Sequence, residues 1–425
     1  MKWPRTRDAG DTGVGHARPY ALAMRSALPR LLPWIAVAWC LVGCAFLVGE
    51  LHREVNDPGN SDYVALLDGG YILATGSHCL YCEDVQRSTA AHLLHTASSY
   101  GTAYFQPYVS PPLSAWIFQP LAGVGLNQGA GIAALISLTC LGVVALWAWR
   151  LLIGLLDRWR ALLLFGLVIL YVGAESAIVQ WDYVLLALAV GALTLLHRGR
   201  KLEAGLLLGL MLMKPQDVWL VPVLLLAARQ WRMLLGFACG GLVYVVSGLL
   251  IVGSAQMAQW LPYATHVHLK DAWQSLGIPS VIATVVGIGW GEAAAAALGM
   301  AVGVLAWRHR SRLRDPVAVI SIGLIASLVF APHVLWEDVI LCAPGLLLYG
   351  VRRFWPAVGL AAGLNAGFFI DGYTPAQGAH ALTIALVVAL VAISRELLFT
   401  RAAEEPLRDQ LVASPSAHRH LQRTA

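Results

Sequence analysis

The sequence predicts an all-α protein, a polytopic transmembrane helical bundle, and three observations carry that expectation. First, 58% of the 425 residues are hydrophobic and only 12% are charged, against roughly a quarter charged in soluble domains; mean hydropathy is +0.66. Second, the apolar residues come in blocks about 15 to 22 residues long, close to the ~20 that cross a ~30 Å hydrocarbon layer as a helix. Third, short clusters of Arg, His and Lys separate the blocks. A chain so poor in charge cannot cover itself with hydrated surface. In lipid, open strands would leave backbone groups unpaired, so the blocks must be helices.

Residues 1–30 are polar and basic, including Arg5, Arg7, Arg18, Arg25 and Arg30, and read as a disordered tail. The run 31–50 has no small-residue cleavage site at its end, so it reads as a retained first helix and not as a signal peptide. A large polar loop, 51–110, follows. Segment 111–125 opens with Ser110-Pro111-Pro112 and reads as a half-helix, because proline suits a first helical turn and a full crossing there would invert every later loop. Further spanning helices are expected at 128–149, 161–178, 183–197, 201–214, 217–229, 233–253, 285–307, 316–331, 337–350, 355–370 and 379–399, about twelve in all. One transmembrane domain then covers 31–399, and 400–425 forms a second disordered tail.

Orientation follows from the basic clusters. Arg30, Arg150/Arg158/Arg160, His197 to Lys201, Arg229/Arg232, Arg308 to Arg314, Arg352/Arg353 and Arg395/Arg401 fall at every second connection, which places both termini in the cytoplasm. The same rule sends Glu175, Gln180, Asp182, Lys214, Gln216, Asp217, the loop 254–277, His333, Glu337, Asp338 and Asp371 to the outer side with loop 51–110. Ionisable groups at membrane edges, gathered on one side, suggest a polar cavity opening outward. The net charge of +5 sits in short loops, which is a topology signal and not a nucleic-acid footprint. No phosphate-cradling glycine loop or dinucleotide fingerprint occurs.

Several residues in that outer set have chemistry to offer, each beside a plainer reading. Asp62 is open to two: a helix N-cap before an apolar stretch, or a general base toward a hydroxyl. Lys214, in Met213-Lys214-Pro215-Gln216, either snorkels to the membrane edge or meets an anion such as a lipid phosphate. His333, in Pro332-His333-Val334-Leu335-Trp336-Glu337-Asp338, is either part of a solvated turn or a polar group at a cavity rim. Gln180 and Asp182 carry the same ambiguity. Five of the seven cysteines lie in apolar blocks; only Cys79 and Cys82 are in a polar segment. With His92 and His95 they could suggest zinc, but the spacing is shorter than in common fingers, and an oxidising outer compartment favours a local disulfide.

Taken in order, these segments resemble glycosyltransferase family 87, membrane enzymes of the GT-C type. The resemblance rests on Asp62-Tyr63, Tyr108-Val109-Ser110-Pro111-Pro112-Leu113, Gln180-Trp181-Asp182-Tyr183, Met213-Lys214-Pro215-Gln216 and Ala331-Pro332-His333. Leu66 and Leu67 stand where the family has a second aromatic residue, and Asp182 stands in place of an Asn. The resemblance implies a GT-C-like bundle that transfers a sugar, mannose or another pentose or hexose, from a polyprenyl-phosphate donor to a lipid or glycan acceptor, with inversion. Asp62 would be the base. Lys214 and His333 would hold the donor phosphate, and Tyr63, Gln180, Asp182, Gln216, Glu337 and Asp338 would line the cavity. It implies no metal and no cofactor, since a monophosphate leaving group needs less neutralisation than a pyrophosphate.

The expected setting is the cytoplasmic membrane, with membrane lipids around the bundle and the site facing the exterior. Two other classes compete. A transporter of twelve helices would more often show an internal repeat and place its ionisable groups near the midplane; here no repeat is evident and the polar groups sit at one edge. A non-catalytic envelope-assembly protein is the third reading.

Overall fold

An apolar block surrounded by lipid or by other apolar helices must satisfy its own backbone, and among the described residues of the computed structural model the chain does so with helices and no strand. The structure describes residues 17–60, 62–77, 79–95, 106–171, 178–268, 275–371 and 375–399; the tail 400–425, residues 1–16 and Glu175 lie outside them. Sixteen α-helices are found there: α1 Ala17–Asn56, α2 Tyr63–Ala74, α3 Glu83–His95, α4 Pro112–Phe118, α5 Leu126–Ile153, α6 Arg158–Ile169, α7 Asp182–His197, α8 Lys201–Leu210, α9 Leu220–Ala227, α10 Trp231–His268, α11 Ile278–Val286, α12 Ile288–Arg308, α13 Pro316–Phe330, α14 Ala343–Arg352, α15 Phe354–Asp371 and α16 Pro375–Phe399.

Every expected span meets a helix, but only five described stretches are long and apolar enough to cross a bilayer unaided: Leu31–Asn56, Leu126–Ile153, Trp231–Ala264, Ile288–Arg308 and Ala379–Phe399. The differences have local causes. α1 begins at Ala17, inside the expected tail. Pro344 sits in the first turn of α14, where it lacks the N–H that would continue the helix backward; a 3-10 turn, Glu337–Cys342, precedes it. Gly253, at φ +78, turns the chain within α10, a conformation that glycine adopts without steric cost. Beyond that turn the chain is helical again to His268, where a loop was expected. The expected half-helix at 111–125 is the seven-residue α4 followed by a 3-10 turn, Gln119–Gly123.

α8 and α9 form a hairpin. Lys201 Nζ, at the start of α8, donates to Gln230 Oε1 just past α9 at 3.4 Å, and Gln230 Nε2 donates to Arg314 O at 3.2 Å. Its apex is therefore Lys214-Pro215-Gln216. α8 is clasped to α10 by two facing pairs of small residues, Gly205/Gly209 and Gly236/Gly240. A Cβ on Gly240 would lie 2.7 Å from Gly209 Cα, so the backbones touch, as small residues four apart allow in membranes.

The basic clusters meet at one end of the bundle. Arg160 stacks over Phe354 at 5.5 Å, Arg353 pairs with Glu396 at 3.0 Å, and Arg312 lies over Phe399 at 4.0 Å. Arg314 joins Gln230 as above, and Asp315 lies within electrostatic reach of His197. α7, with 16 residues, rises about 24 Å at 1.5 Å per residue, and so carries Asp182 to the far end. α13 does the same for His333, and the α8–α9 hairpin for Lys214.

Over that far end lies a layer of short elements: α2, α3, α4 and the part of α10 after Gly253. Gln86 ties it together. Its Nε2 donates to Leu80 O (2.8 Å) and Tyr108 O (3.0 Å), while its Oε1 accepts from Tyr108 N (3.0 Å) and Tyr263 Oη (3.2 Å). Cys79 and Cys82 are joined by a disulfide beside it, and His92 packs its ring on Tyr71 at 5.3 Å.

Candidate functional site

Proline chemistry builds the site. The residue before a proline is pushed out of the helical region, and Lys214, before Pro215, has φ −130 and ψ 81. The helix breaks there, and the lysine stands at the hairpin apex. Ala331, before Pro332, is extended at ψ 149, which ends α13 and starts the loop carrying His333. Asp338 closes that loop by accepting from Leu335 N at 2.8 Å through Oδ2. Asp182 is the first residue of α7.

These elements converge on Lys214. Its Nζ lies 3.1 Å from Asp182 Oδ1 and makes a second, short ion pair with Asp338 Oδ1. Asp217 and Glu337 lie within its electrostatic reach. Asp62 senses both Lys214 and Asp182, and His333 senses Lys214. Asp182, Asp217, Glu337 and Asp338 are buried, whereas Asp62, Gln180, Lys214, Gln216 and His333 are half-buried. The cluster thus has a floor of acids beneath a rim of partly accessible groups.

Asp62 occupies the N-cap position of α2, and its backbone oxygen accepts from Leu66 N at 3.2 Å. Its side chain, however, makes no capping hydrogen bond. The capping role weighed from the sequence does not hold for the carboxylate. Burial raises its pKa above the ordinary range, Lys214 pulls it back, and Asp182 pushes it up again. For His333, burial first and Lys214 second lower the pKa to about 3, so the ring is neutral. Ser275 Oγ lies 2.6 Å from its Nδ1.

Five carboxylates share this region with one lysine. Asp182, Asp217 and Asp338 each offer an oxygen within 4.8 Å of the others, a spacing suited to a cation, and Lys214 Nζ already contacts two of them. Both Asp217 oxygens are buried without a hydrogen-bond partner among the described residues. Asp217 was visible in the sequence only as one acid of the outer set, and Ser275 gave no signal there at all.

Tyr63 is the expected cavity residue next to Asp62. It is fully buried, packs on the Phe118 ring at 5.9 Å and presses its hydroxyl against Gly129. These are packing contacts between α2, α4 and α5.

Glycosyltransferase family 87 matches residues 108–332 of the chain, more than half of its length. No curated protein and no solved structure matches it.

Proposed function

Because the chain belongs to glycosyltransferase family 87, we propose that it transfers a sugar from a polyprenyl-phosphate donor to a lipid or glycan acceptor, at the outer face of the cytoplasmic membrane. The observation that carries this reading is Asp62: a carboxylate that caps nothing, half-buried, and electrostatically joined to Lys214. A base must be within reach of the proton and ionised at the working pH, and a pKa raised toward that pH strengthens its basicity.

In the proposed step Asp62 takes the proton of the acceptor hydroxyl. The oxygen attacks the anomeric carbon from the face opposite the phosphate, and the bond from that carbon to the phosphate oxygen breaks. The electron pair leaves with the polyprenyl phosphate. Lys214 and neutral His333 donate hydrogen bonds to the phosphate as its charge grows, a contact worth most where water is scarce. Lys214 is shared between Asp182 and Asp338 in the resting site, so the donor phosphate competes with those carboxylates for it. Gln180 and Gln216, half-buried beside Asp182 and Lys214, suit hydrogen bonding to sugar hydroxyls.

The test is transfer in detergent or nanodiscs from a panel of radiolabelled polyprenyl-phosphate sugars to envelope lipid extracts, with Asp62→Asn protein alongside. Transfer by the wild type alone supports the reading. Folded wild-type protein inactive with every donor while sealed vesicles show solute uptake would favour the transporter reading instead.

A further inference from the structure

We propose that Ser275 is a positioning residue that fixes the tautomer of His333, so that the ring presents an N–H at Nε2 to the departing phosphate. This rests on the transferase reading above. Ser275 is 2% exposed, and its hydroxyl meets Nδ1 at 2.6 Å. A neutral imidazole carries a single N–H, and the hydrogen bond at one nitrogen decides what the other can do. When Nδ1 accepts from the Ser275 hydroxyl, the proton resides on Nε2. The opposite tautomer would turn a lone pair toward an anion.

The surroundings separate this role from simple loop fastening. Three successive residues of the 332–334 loop are each held from the segment before and into α11. Ser280 Oγ donates to Pro332 O at 2.8 Å, Ser275 meets His333, and Leu276 N donates to Val334 O at 2.6 Å. Gly277, at φ +94, lies so close that a Cβ would be 3.0 Å from Ala331 O, and its N–H donates to Thr383 Oγ1 of α16 at 3.0 Å. Backbone bonds and Ser280 therefore hold the loop; the Ser275 hydroxyl adds the contact to the ring. Burial keeps that ring uncharged, which is the condition under which a tautomer matters.

The experiment uses the full chain in nanodiscs with 15N-labelled histidine, the His333 signals being identified by their loss in His333→Ala. The expected result is a proton on Nε2 in wild type and a tautomer mixture in Ser275→Ala. Ser275→Ala should lower kcat about tenfold or more, because an imidazole held in the wrong tautomer cannot donate where it is needed, with the melting temperature unchanged and Ser275→Thr restoring most of the rate. In a His333→Ala background Ser275→Ala should have no further effect. A wild-type proton on Nδ1, or an equal loss in that background, overturns the proposal. The proton position is read without substrate, so failure of the transferase reading leaves it measurable, while a proton on Nδ1 sinks this inference and leaves transfer intact.

Discussion

Lys214 Nζ sits 3.1 Å from Asp182 Oδ1 although 32 residues separate them, and the same nitrogen also pairs with Asp338, 124 residues away. Removing one partner of a buried ion pair strands the other charge, at a cost of about 3–5 kcal/mol. Lys214→Ala should therefore lower the midpoint of denaturant or thermal unfolding, and adding Asp182→Asn should recover part of the loss. In the folded double variant the apparent donor constant should rise. Undiminished stability of Lys214→Ala would mean that the pair contributes nothing, and an unchanged donor constant would remove Lys214 from the phosphate site.

Tyr63 and Gly129 make a second, cleaner pair. A Cβ on Gly129 would collide with the Tyr63 hydroxyl, which has no hydrogen-bond partner among the described residues. Overpacking a well-filled interior costs about 1–3 kcal/mol. Gly129→Ala should destabilise by that order, and Tyr63→Phe should relieve it, since the hydroxyl is what collides. Tyr63→Phe alone should leave sugar transfer near wild type. A large loss of transfer in folded Tyr63→Phe would return this residue to the substrate site.

What the sequence made legible follows from which signals are local. Hydropathy blocks and basic clusters are local, so the helical class and the shared basic end could be read. The prolines at 215 and 332 are local too, and they marked where Lys214 and His333 leave their helices. The partners of Lys214 are not, because no periodicity links positions 182, 214 and 338. Whether Asp62 caps α2 depends on its side-chain direction, which residue type does not encode. Short helices such as α8 and α9 satisfy their ends through neighbours, so their hydropathy looks like a span although each is 10 residues or fewer.

Asp68 supplies a pH test of the layer of short elements that includes α2. It is fully buried on α2, both oxygens lack a partner among the described residues, and burial raises its pKa to about 8. The unfolded chain releases this proton near the ordinary value of about 3.9, the folded chain only near 8, so between those values the folded state binds more protons. Stability then falls as pH rises through that window. Asp68→Asn should flatten this part of the melting-temperature profile between about pH 5 and 8. A profile identical to wild type would show that Asp68 is solvated or paired.

Sidedness can be checked by reporter fusions. The contacts among Arg160, Phe354, Arg353, Glu396, Arg312 and Phe399 put these loops at one end, and positive loops face the cytoplasm. Fusions after Arg310 or Arg353 should report cytoplasm, and one near Gln256 should report the outer side. Opposite signals at two or more sites would move the acidic cluster to the cytoplasmic face and rule out an outer acceptor.

Asp62→Asn is the decisive substitution for the proposed chemistry. Asn keeps the size and caps helices about as well as Asp, and the native carboxylate makes no capping bond to lose, so the fold should hold. What disappears is the basicity. Transfer should fall by a factor on the order of 10² or more, within the usual range for a general base, with the melting temperature near wild type. Because Asp62 must be ionised to accept a proton and its pKa is raised, wild-type kcat/KM should rise with pH along an acid limb lying above the ordinary carboxylate value of about 3.9. That limb should vanish from the residual activity of Asp62→Asn. Neither a transporter nor an assembly protein has a covalent step for this carboxylate to assist. Folded Asp62→Asn protein that transfers sugar at the wild-type rate, with the acid limb intact, would end the case for Asp62 as the base.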